Sequence, residues 1–573
     1  MIFAKLRPMP SLAKEISWCA RTWSNNSEYV AEISSERDAL VAFGETTEAC
    51  WLIAGRVFCL QSGNLASPAT VAELVRTVPQ NVSRQFWGPY FIIVYDKLQD
   101  SFVVLADPCG QHPVFYRLAD DGSLHVGNRI EDFAQLGGAC REPDYSFLHQ
   151  FLAHGYGEST GTGWRGISRL PPGQALRWKR GATPELCRAW SPWPQRRHSD
   201  QPDFVDLLTM VHRSIMRGRD AITLELSGGL DSTALAVALQ RAKLNTRTLA
   251  ITHFDPRERL PTKVAIARHV ARHCGMNHKA YPLLAKLPFT SVDAIPAVAQ
   301  PATKLCFLAR DQDMEKAGIP VERGALLNGH GGDSLYLAPP PFCVVVDAAA
   351  SLHLARAVSA LSDLAIHYRL PLYSVLKSAF GGAFDHLGGS HAQQAQTVIQ
   401  QAPRERPATL YDDVLRGARL RLRPARRYQI AALGAVLDDA LVQPYPKEGR
   451  PVMPFLAQPI VEHAMQMNLE EAFSADHNRL IVRKAVYRAS GLGTLWRTDK
   501  GDIMHSALQG IKVNNAHVLE TCLEGWAASA GLLDIVSLRK LIKRAALGYP
   551  AGLMEITRIY AVEMFVYGLR RNV

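Results

Sequence analysis

The feature that most constrains this chain of 573 residues is a glycine-rich hexapeptide, SGGLDS, at residues 227–232. The segment before it, residues 221–226, is a short apolar run typical of a buried strand, and a helical pattern begins at Ser232. Two adjacent glycines allow the backbone to turn sharply and to approach a ligand closely. The helix that follows presents unpaired N–H groups at its positive end. The sequence therefore predicts a loop that binds pyrophosphate.

The residues expected to hold the phosphates share this loop, and they are Ser227, Gly228, Gly229, Asp231 and Ser232. Asp231 is unfavourable beside phosphate unless a cation lies between them, and Mg²⁺ prefers one or two carboxylates together with phosphate oxygens. The competing explanation is an ordinary glycine turn in which Asp231 or Ser232 caps the helix. The chain lacks the Walker A pattern GxxxxGK[ST] and a dinucleotide fingerprint, which excludes those two nucleotide sites.

A second polar loop, NGHGGDS at residues 328–334, follows another apolar segment. Loops at the carboxyl ends of parallel strands share one crevice. Asp333 is therefore expected to face Asp231 across a bound Mg·pyrophosphate, and Gly329 to lie beside the nucleotide. The competing explanation for Asp333 is a turn residue whose side chain bonds its own backbone.

The pattern along the chain divides it into two parts. Up to about residue 190, short β-branched and aromatic runs alternate with Gly, Asp and Pro, which indicates strands and hairpins. The polar, proline-rich segment 191–203 is the predicted linker. Predicted strands and helices alternate after it, which favours a parallel sheet covered on both faces, and from about residue 345 the pattern is helical. The predicted strands are 221–226, 247–252 and 324–329, and the predicted helices are 204–217, 232–242 and 263–274. We expect an α+β sandwich domain, an α/β domain and a large helical C-terminal part.

Composition narrows the class of protein. Hydrophobic residues make up 47% and charged residues 20% of the chain, which excludes a disordered chain. There is no apolar run of membrane-spanning length and no signal-peptide pattern. The ten cysteines show no CxxC and no zinc spacing, so we expect reduced thiols and a cytoplasmic location. The net charge of +11 permits an anionic partner without identifying it.

Six segments, in order along the chain, resemble the asparagine synthetase superfamily. The SGGLDS loop is similar to the PP-loop of ATP pyrophosphatases, and NGHGGD is similar to the GxGxD loop of the superfamily. The other four segments are ADPCGQHPVFY (106–116), GISRLPPG (166–173), PVMPFLAQPIVEHAM (451–465) and WRTDKG (496–501). The resemblance implies a degenerate glutamine-amidotransferase-like domain of Ntn-amidohydrolase-like fold at 1–195. It further implies an asparagine-synthetase-like, ATP-dependent cyclase domain of PP-loop (HUP-like, adenine nucleotide alpha hydrolase) fold at 200–573.

The sequence departs from glutamine-hydrolysing members, which carry a nucleophilic cysteine at position 2, where this chain has Ile2. Without that thiol, ammonia from glutamine is not expected, and the amine should come from the substrate. The GHGGD motif and the helical stretch after residue 345 are most similar to the corresponding segments of lasso-peptide macrolactam synthetases, or lasso cyclases. That branch adenylates an Asp or Glu side chain, and the N-terminal amine of the core peptide then attacks. A β-lactam-type synthetase, or an ammonia-dependent enzyme like asparagine synthetase acting on a small substrate, is the alternative.

The resemblance also implies roles for three further residues. Lys500 would stabilise the developing oxyanion and the AMP phosphate, unless it is a surface lysine. His330 is either a general base or a structural histidine, and Ile251 is either an adenine contact or plain core. ATP and Mg²⁺ are the implied cofactors. The implied partners are a lasso precursor peptide, a leader peptidase and a leader-binding (RRE) protein, with neither nucleic acid nor membrane insertion.

Two C-terminal stretches carry weaker signals. Eight arginines fall within 404–427. A solvated helix face is the first explanation for them, contact with an acidic peptide or a partner protein the second, and RNA the last. The segment 552–570 has the pattern of an amphipathic helix and is expected to pack on the core.

Overall fold

The structure is a computed structural model, and it describes most of the chain. The described ranges are 2–6, 18–25, 28–36, 41–136, 142–193, 202–254, 262–282, 286–316, 324–384, 398–400, 403, 405–417, 422–442, 451–497 and 503–571. Most of the predicted linker, Lys500 and three of the eight arginines lie outside these residues.

The N-terminal part is built on two antiparallel six-stranded sheets. Its strands are β1 Ile2–Leu6, β2 Trp18–Asn25, β3 Glu28–Glu36, β4 Val41–Glu45, β5 Ala49–Gly55, β6 Phe58–Cys59, β7 Phe86–Trp87, β8 Tyr90–Asp96, β9 Ser101–Ala106, β10 Val114–Leu118, β11 Leu124–Gly127, β12 Ser168–Leu170, β13 Gln174–Lys179 and β14 Glu185–Arg188. The sheet orders are β12-β10-β11-β1-β3-β2 and β14-β13-β9-β8-β5-β4. Three helices complete it, α1 Pro68–Thr77, α2 Val82–Gln85 and α3 Tyr145–His154.

Strand β8 shows why this part forms a layered sandwich. Alternate residues of a strand point to opposite faces of its sheet. Phe91, Ile93 and Tyr95 pack in the core between the two sheets. Tyr90 and Ile92 point the other way, into the core that α1 covers. Gly122, with φ 75°, lies in the turn that connects β10 to β11 as a hairpin, in line with the alternation of strand and turn residues in the sequence.

A parallel four-stranded sheet follows, in the order β17-β16-β15-β18. Its strands are β15 Ala221–Glu225, β16 Thr248–Phe254, β17 Asn277–Pro282 and β18 Gly324–Leu327. Three of these strands were predicted. Strand β17 was not, because its sequence NHKAYP has the polar composition of an edge strand rather than an apolar run.

Helices make up most of the remaining described residues. They are α4 Phe204–Ile215, α5 Leu230–Arg241, α6 Thr262–His273, α7 Leu308–Lys316, α8 Gly332–Leu335, α9 Val344–Ala350, α10 Leu354–Tyr368, α11 Leu372–Phe384, α12 Asp412–Gly417, α13 Pro424–Val442, α14 Gln458–Gln466, α15 Leu480–Ser490, α16 Ile503–Val513, α17 Asn515–Glu524, α18 Trp526–Ser529, α19 Ile535–Ala546 and α20 Leu553–Arg571. The predicted helices at 204–217, 232–242 and 263–274 are confirmed as α4, α5 and α6.

The C-terminal helix α20 joins the two parts of the molecule. The prediction that it packs on the core is confirmed, but the prediction of an amphipathic helix is wrong, since its residues are buried around most of its circumference. Its residues Tyr560 and Phe565 share a core with Phe147 and Phe151 of α3. Gly163 lies so close to α20 that an added Cβ would sit 2.5 Å from the Phe565 ring. Among the described residues, no helix is long and apolar enough to cross a membrane.

The arginine-rich stretch is only partly a solvated face. Arg423 donates to the carbonyl of Asp347 at 3.0 Å, and Arg426 donates to the carbonyl of Met467 at 2.7 Å. Arg416 fits the first explanation, since its side chain is largely exposed and lies 3.8 Å from Asp412. Through these hydrogen bonds, Arg423 and Arg426 hold α13 against its neighbours.

Candidate functional site

The hexapeptide forms a tight loop between β15 and α5, as predicted. Gly228 has φ 75°, and a Cβ there would lie 2.9 Å from Ile266 of α6, so only glycine fits. The two serine hydroxyls close the loop, with 3.1 Å between the Oγ atoms of Ser227 and Ser232. Gly229 is the N-cap of α5, and no side chain caps this helix. The competing explanation, that Asp231 or Ser232 caps it, is therefore wrong.

The second loop packs directly on Asp231. A Cβ on Gly329 would lie 2.8 Å from Cβ of Asp231, and a Cβ on Gly332 would lie 2.6 Å from its carboxylate carbon. Because only glycine permits this approach, the GHGGD sequence brings Asp333 next to Asp231. The expectation that the two loops share one crevice is confirmed.

Arg479 holds the two aspartates together. Its Nη1 lies 2.7 and 2.8 Å from the two carboxylate oxygens of Asp231 and 2.7 Å from Oδ1 of Asp333. The Arg479 side chain is 5% exposed, and its backbone takes the left-handed conformation, φ 54°, immediately before α15. Two carboxylates therefore converge on one buried cationic nitrogen, although the Asp333 side chain itself is 42% exposed.

A cavity of about 470 Å³ opens above these loops. Five cationic side chains line it, and they are Lys263, Arg310, Arg479, Arg483 and Arg497. Three carboxylates line it, and they are Glu225, Asp231 and Asp333. The excess of positive charge suits a polyphosphate. Burial and the neighbouring Arg479 lower the pKa of Arg483, while Asp231 and Asp333 oppose that shift.

His330 lies at the wall of this cavity. Its Nε2 is 3.6 Å from the carboxylate of Asp439 on α13, and its backbone N–H donates to Oδ1 of Asn328 at 3.2 Å. Burial lowers the pKa of His330, while Asp439 opposes that shift. The ring is therefore neutral at pH 7 and has a carboxylate on one side. This arrangement is compatible with both explanations of His330, general base and structural residue.

Ile251 and His253 line the cavity from β16. The Ile251 carbonyl accepts from Leu226 N at 2.8 Å, and the side chain is almost fully buried. Ile251 is thus both core and cavity wall. His253 projects from the end of the strand toward Arg310 and Lys263, and burial together with those cations lowers its pKa to about 4.

The structure brings together every predicted site residue that it describes. Sequence reasoning missed the cationic side chains and Asp439. Arg479 and Arg483 are four residues apart, a spacing that would place two side chains on one face of a helix, and this signal was available in the sequence although Arg479 lies just before α15. For Arg310 and Lys263 no such signal exists, since each comes from a different helix whose approach depends on the fold.

The residues present fit a divalent cation. Among the described residues, no group of three or more His, Cys, Asp or Glu side chains could hold a metal ion by itself. Asp231 and Asp333 nevertheless converge on one point beside the SGGLDS loop. That donor set suits Mg²⁺, which takes one or two carboxylates and completes its shell with water and substrate phosphates.

Fold and site together define a class, namely a mixed α/β domain with a cation-lined crevice that follows a two-sheet sandwich domain. Family models match both parts, a glutamine amidotransferase domain at residues 69–190 and asparagine synthase at residues 204–343. The two matches support assignment to the asparagine synthetase superfamily. The second match indicates an ATP-dependent amide ligase.

Two solved structures are similar in part. One is the allosteric regulatory enzyme of purine biosynthesis, with 12% identity over 47% of this chain and 70% of that chain, at a TM-score of 0.20. The other is glutamine phosphoribosylpyrophosphate amidotransferase from B. subtilis complexed with ADP and GMP, with 11% identity over 54% and 64% of the chains, at a TM-score of 0.19. At these TM-scores neither adds to the assignment. Comparison with curated proteins gives no match.

Proposed function

We propose that this chain is a lasso-peptide macrolactam synthetase, which uses ATP to join a side-chain carboxylate of a precursor peptide to the peptide's own N-terminal amine. The observation that carries the adenylation step is the convergence of Asp231 and Asp333 beside the SGGLDS loop. The asparagine synthase match supports amide formation. The GHGGD sequence around His330 supports the lasso branch.

The first step is adenylation of the acceptor. An oxygen of an Asp or Glu side chain attacks the α-phosphorus of ATP, a C(O)O–P bond forms, and the bond to the β-phosphate breaks. The start of α5, which no side chain caps, would receive the leaving pyrophosphate, together with the hydroxyl groups of Ser227 and Ser232. Asp231 and Asp333 would hold Mg²⁺, whose charge offsets that of the phosphates.

The second step is aminolysis. The free amine attacks the acyl carbon, the C–O bond to AMP breaks, and one proton leaves the nitrogen. His330, at the cavity wall, would receive that proton, since burial lowers the pKa of its ring and Asp439 would stabilise the imidazolium that forms. Lys500, proposed to stabilise the oxyanion, lies outside the described residues. Its role rests on the WRTDKG motif alone.

The proposed partners follow from the substrate. A precursor must lose its leader before its core amine is free, so a leader peptidase acts first and a leader-binding protein delivers the peptide. An N-terminal amine has a pKa near 8 and is partly deprotonated at neutral pH, so it needs little base assistance.

Co-expression with a candidate precursor and peptidase, followed by mass spectrometry, tests the proposal. We expect a core peptide lighter by one water, with AMP and pyrophosphate released in purified reactions. Asp231→Ala should abolish this product. Asp220→Ala is the matched control and should leave the product unchanged. Asp220 is exposed and comes immediately before β15, at the end of the strand opposite the SGGLDS loop.

Cleaved leader and folded enzyme without a dehydrated core would contradict the lasso assignment. AMP release with small amino-acid substrates would then favour the alternative synthetases.

A further inference from the structure

We infer that Arg479 is the resident cation of the Asp231–Asp333 pair, and that it transfers to the phosphates of ATP when a divalent cation takes the two carboxylates. The inference rests on the proposed function only in that ATP binds the cavity. It involves no peptide.

The two carboxylates need a positive charge between them. They can be no more than about 5.5 Å apart, because both contact the same Nη1 at 2.7 to 2.8 Å. Two negative charges at that distance repel each other, and a cation between them offsets the repulsion. Arg479 supplies that cation in the ligand-free protein, since a guanidinium stays protonated.

Arginine and metal exclude each other at this position. A Mg²⁺ ion that bound both aspartates would stand about 2.1 Å from their oxygens, in the space that Nη1 fills. Both Asp231 oxygens and Oδ1 of Asp333 already contact that nitrogen. A metal can therefore enter only when Arg479 leaves.

The cavity also contains the expected phosphate site to which the Arg479 side chain would move. Its side chain starts just before α15 and lines the same cavity as Ser227 and Gly229, where the pyrophosphate is expected. Guanidinium groups bind phosphate oxygens through two parallel hydrogen bonds. A nucleotide that arrives with its metal therefore exchanges partners with Arg479 without leaving a buried charge unpaired. A metal ion without nucleotide brings no phosphate to which Arg479 could move, so the free ion should not bind to the two aspartates.

Mn²⁺ binding, followed by the loss of the free-ion EPR signal, tests this on the full chain. Wild type should bind no stoichiometric Mn²⁺ alone and should bind it when a non-hydrolysable ATP analogue is added. Arg479→Gln should bind one Mn²⁺ without nucleotide, at least about tenfold more tightly than wild type, because a positive charge has been removed from the site. Adding Asp231→Asn to that variant should abolish the binding.

Arg488→Gln is the matched control, because Arg488 is an exposed arginine of α15 that lies 3.4 Å from Asp203 and does not line the cavity, and Mn²⁺ binding in it should follow wild type. The inference is overturned if wild type binds Mn²⁺ stoichiometrically without nucleotide and loses it in Asp231→Asn. This result does not depend on the folding of any Arg479 variant. It is also overturned if folded Arg479→Gln, verified by circular dichroism, binds none. The proposed peptide chemistry can fail while the Mn²⁺ results hold, so the two failures are distinguishable.

Discussion

Gly332→Ala should disable the site while leaving the fold intact. Gly332 is the first residue of α8, and its φ is not in the left-handed region, so the backbone accepts alanine. Alanine is in fact the better helix former, by about 1 kcal/mol. The added Cβ would nevertheless lie 2.6 Å from the Asp231 carboxylate carbon and 2.6 Å from its Oδ1. Contacts under about 3.0 Å are not tolerated, so Asp231 or the second loop must move.

The expected magnitude follows from that displacement. Relieving the overlap moves the carboxylate by about 1 Å, and a misplacement of that size costs about 100-fold in rate. Overpacking costs about 1–3 kcal/mol of stability, and the helix preference offsets part of it. We therefore expect a loss of about 100-fold in ATP–pyrophosphate exchange with a melting temperature within a few degrees of wild type.

Gly493→Ala is the control, since a Cβ there meets nothing within 4 Å and its φ is not left-handed. Exchange should stay at the wild-type rate in that protein. Wild-type exchange by Gly332→Ala would refute the reasoning, because it would mean that the close approach to Asp231 is not needed.

Three further predictions concern the domain contact and the histidines. Arg169→Met should destabilise the protein by about 3–5 kcal/mol in urea unfolding, because it leaves Asp438, 3.0 Å away, as an unpaired charge at a buried contact between the two parts. Arg165→Met, an exposed pair with Glu142, should cost under about 1 kcal/mol. Burial lowers the pKa of His212 to about 4, so the folded state resists its protonation. The contribution of His212 to the free energy of unfolding is therefore complete above about pH 6.5, its pKa in the unfolded chain, and about 3 kcal/mol of it is lost as the pH falls toward 4. His212→Gln should flatten the stability profile over that pH range. Asp439→Asn removes the carboxylate that raises the pKa of His330, so the acid limb of the pH profile for amide formation should move to lower pH. An unmoved limb would assign His330 a structural role.

The sequence was sufficient to predict the parts of the site that glycine and topology dictate. A loop that requires Gly228, and two acidic residues after parallel strands, leave little choice about where Asp231 and Asp333 meet. Strand β17 and the cations could not be predicted in the same way. The edge strand NHKAYP is polar, and Lys263 and Arg310 reach the cavity only through the packing of α6 and α7. Arg479 was within reach of a helical-spacing argument, but nothing in the spacing shows that it contacts both aspartates.

The contacts between the two parts give the N-terminal part a direct influence on the site. Arg169 on β12 donates to the Ser159 carbonyl at 2.7 Å and holds Asp438 on α13. The next residue, Asp439, faces His330, so the position of the histidine's partner is set from across the domain boundary. Gln458 of α14 donates to the Ser83 carbonyl at 2.6 Å, which adds a second tie. Because buried hydrogen-bonded charges tolerate little displacement, the sandwich domain acts as a fixed support for the wall of the cavity where the amine is expected to react. Whatever chemistry the N-terminal domain performs, removing it should therefore impair aminolysis more than adenylation, since Gly228 of the SGGLDS loop packs on Ile266 of α6, whereas the position of Asp439 depends on the Arg169 contact.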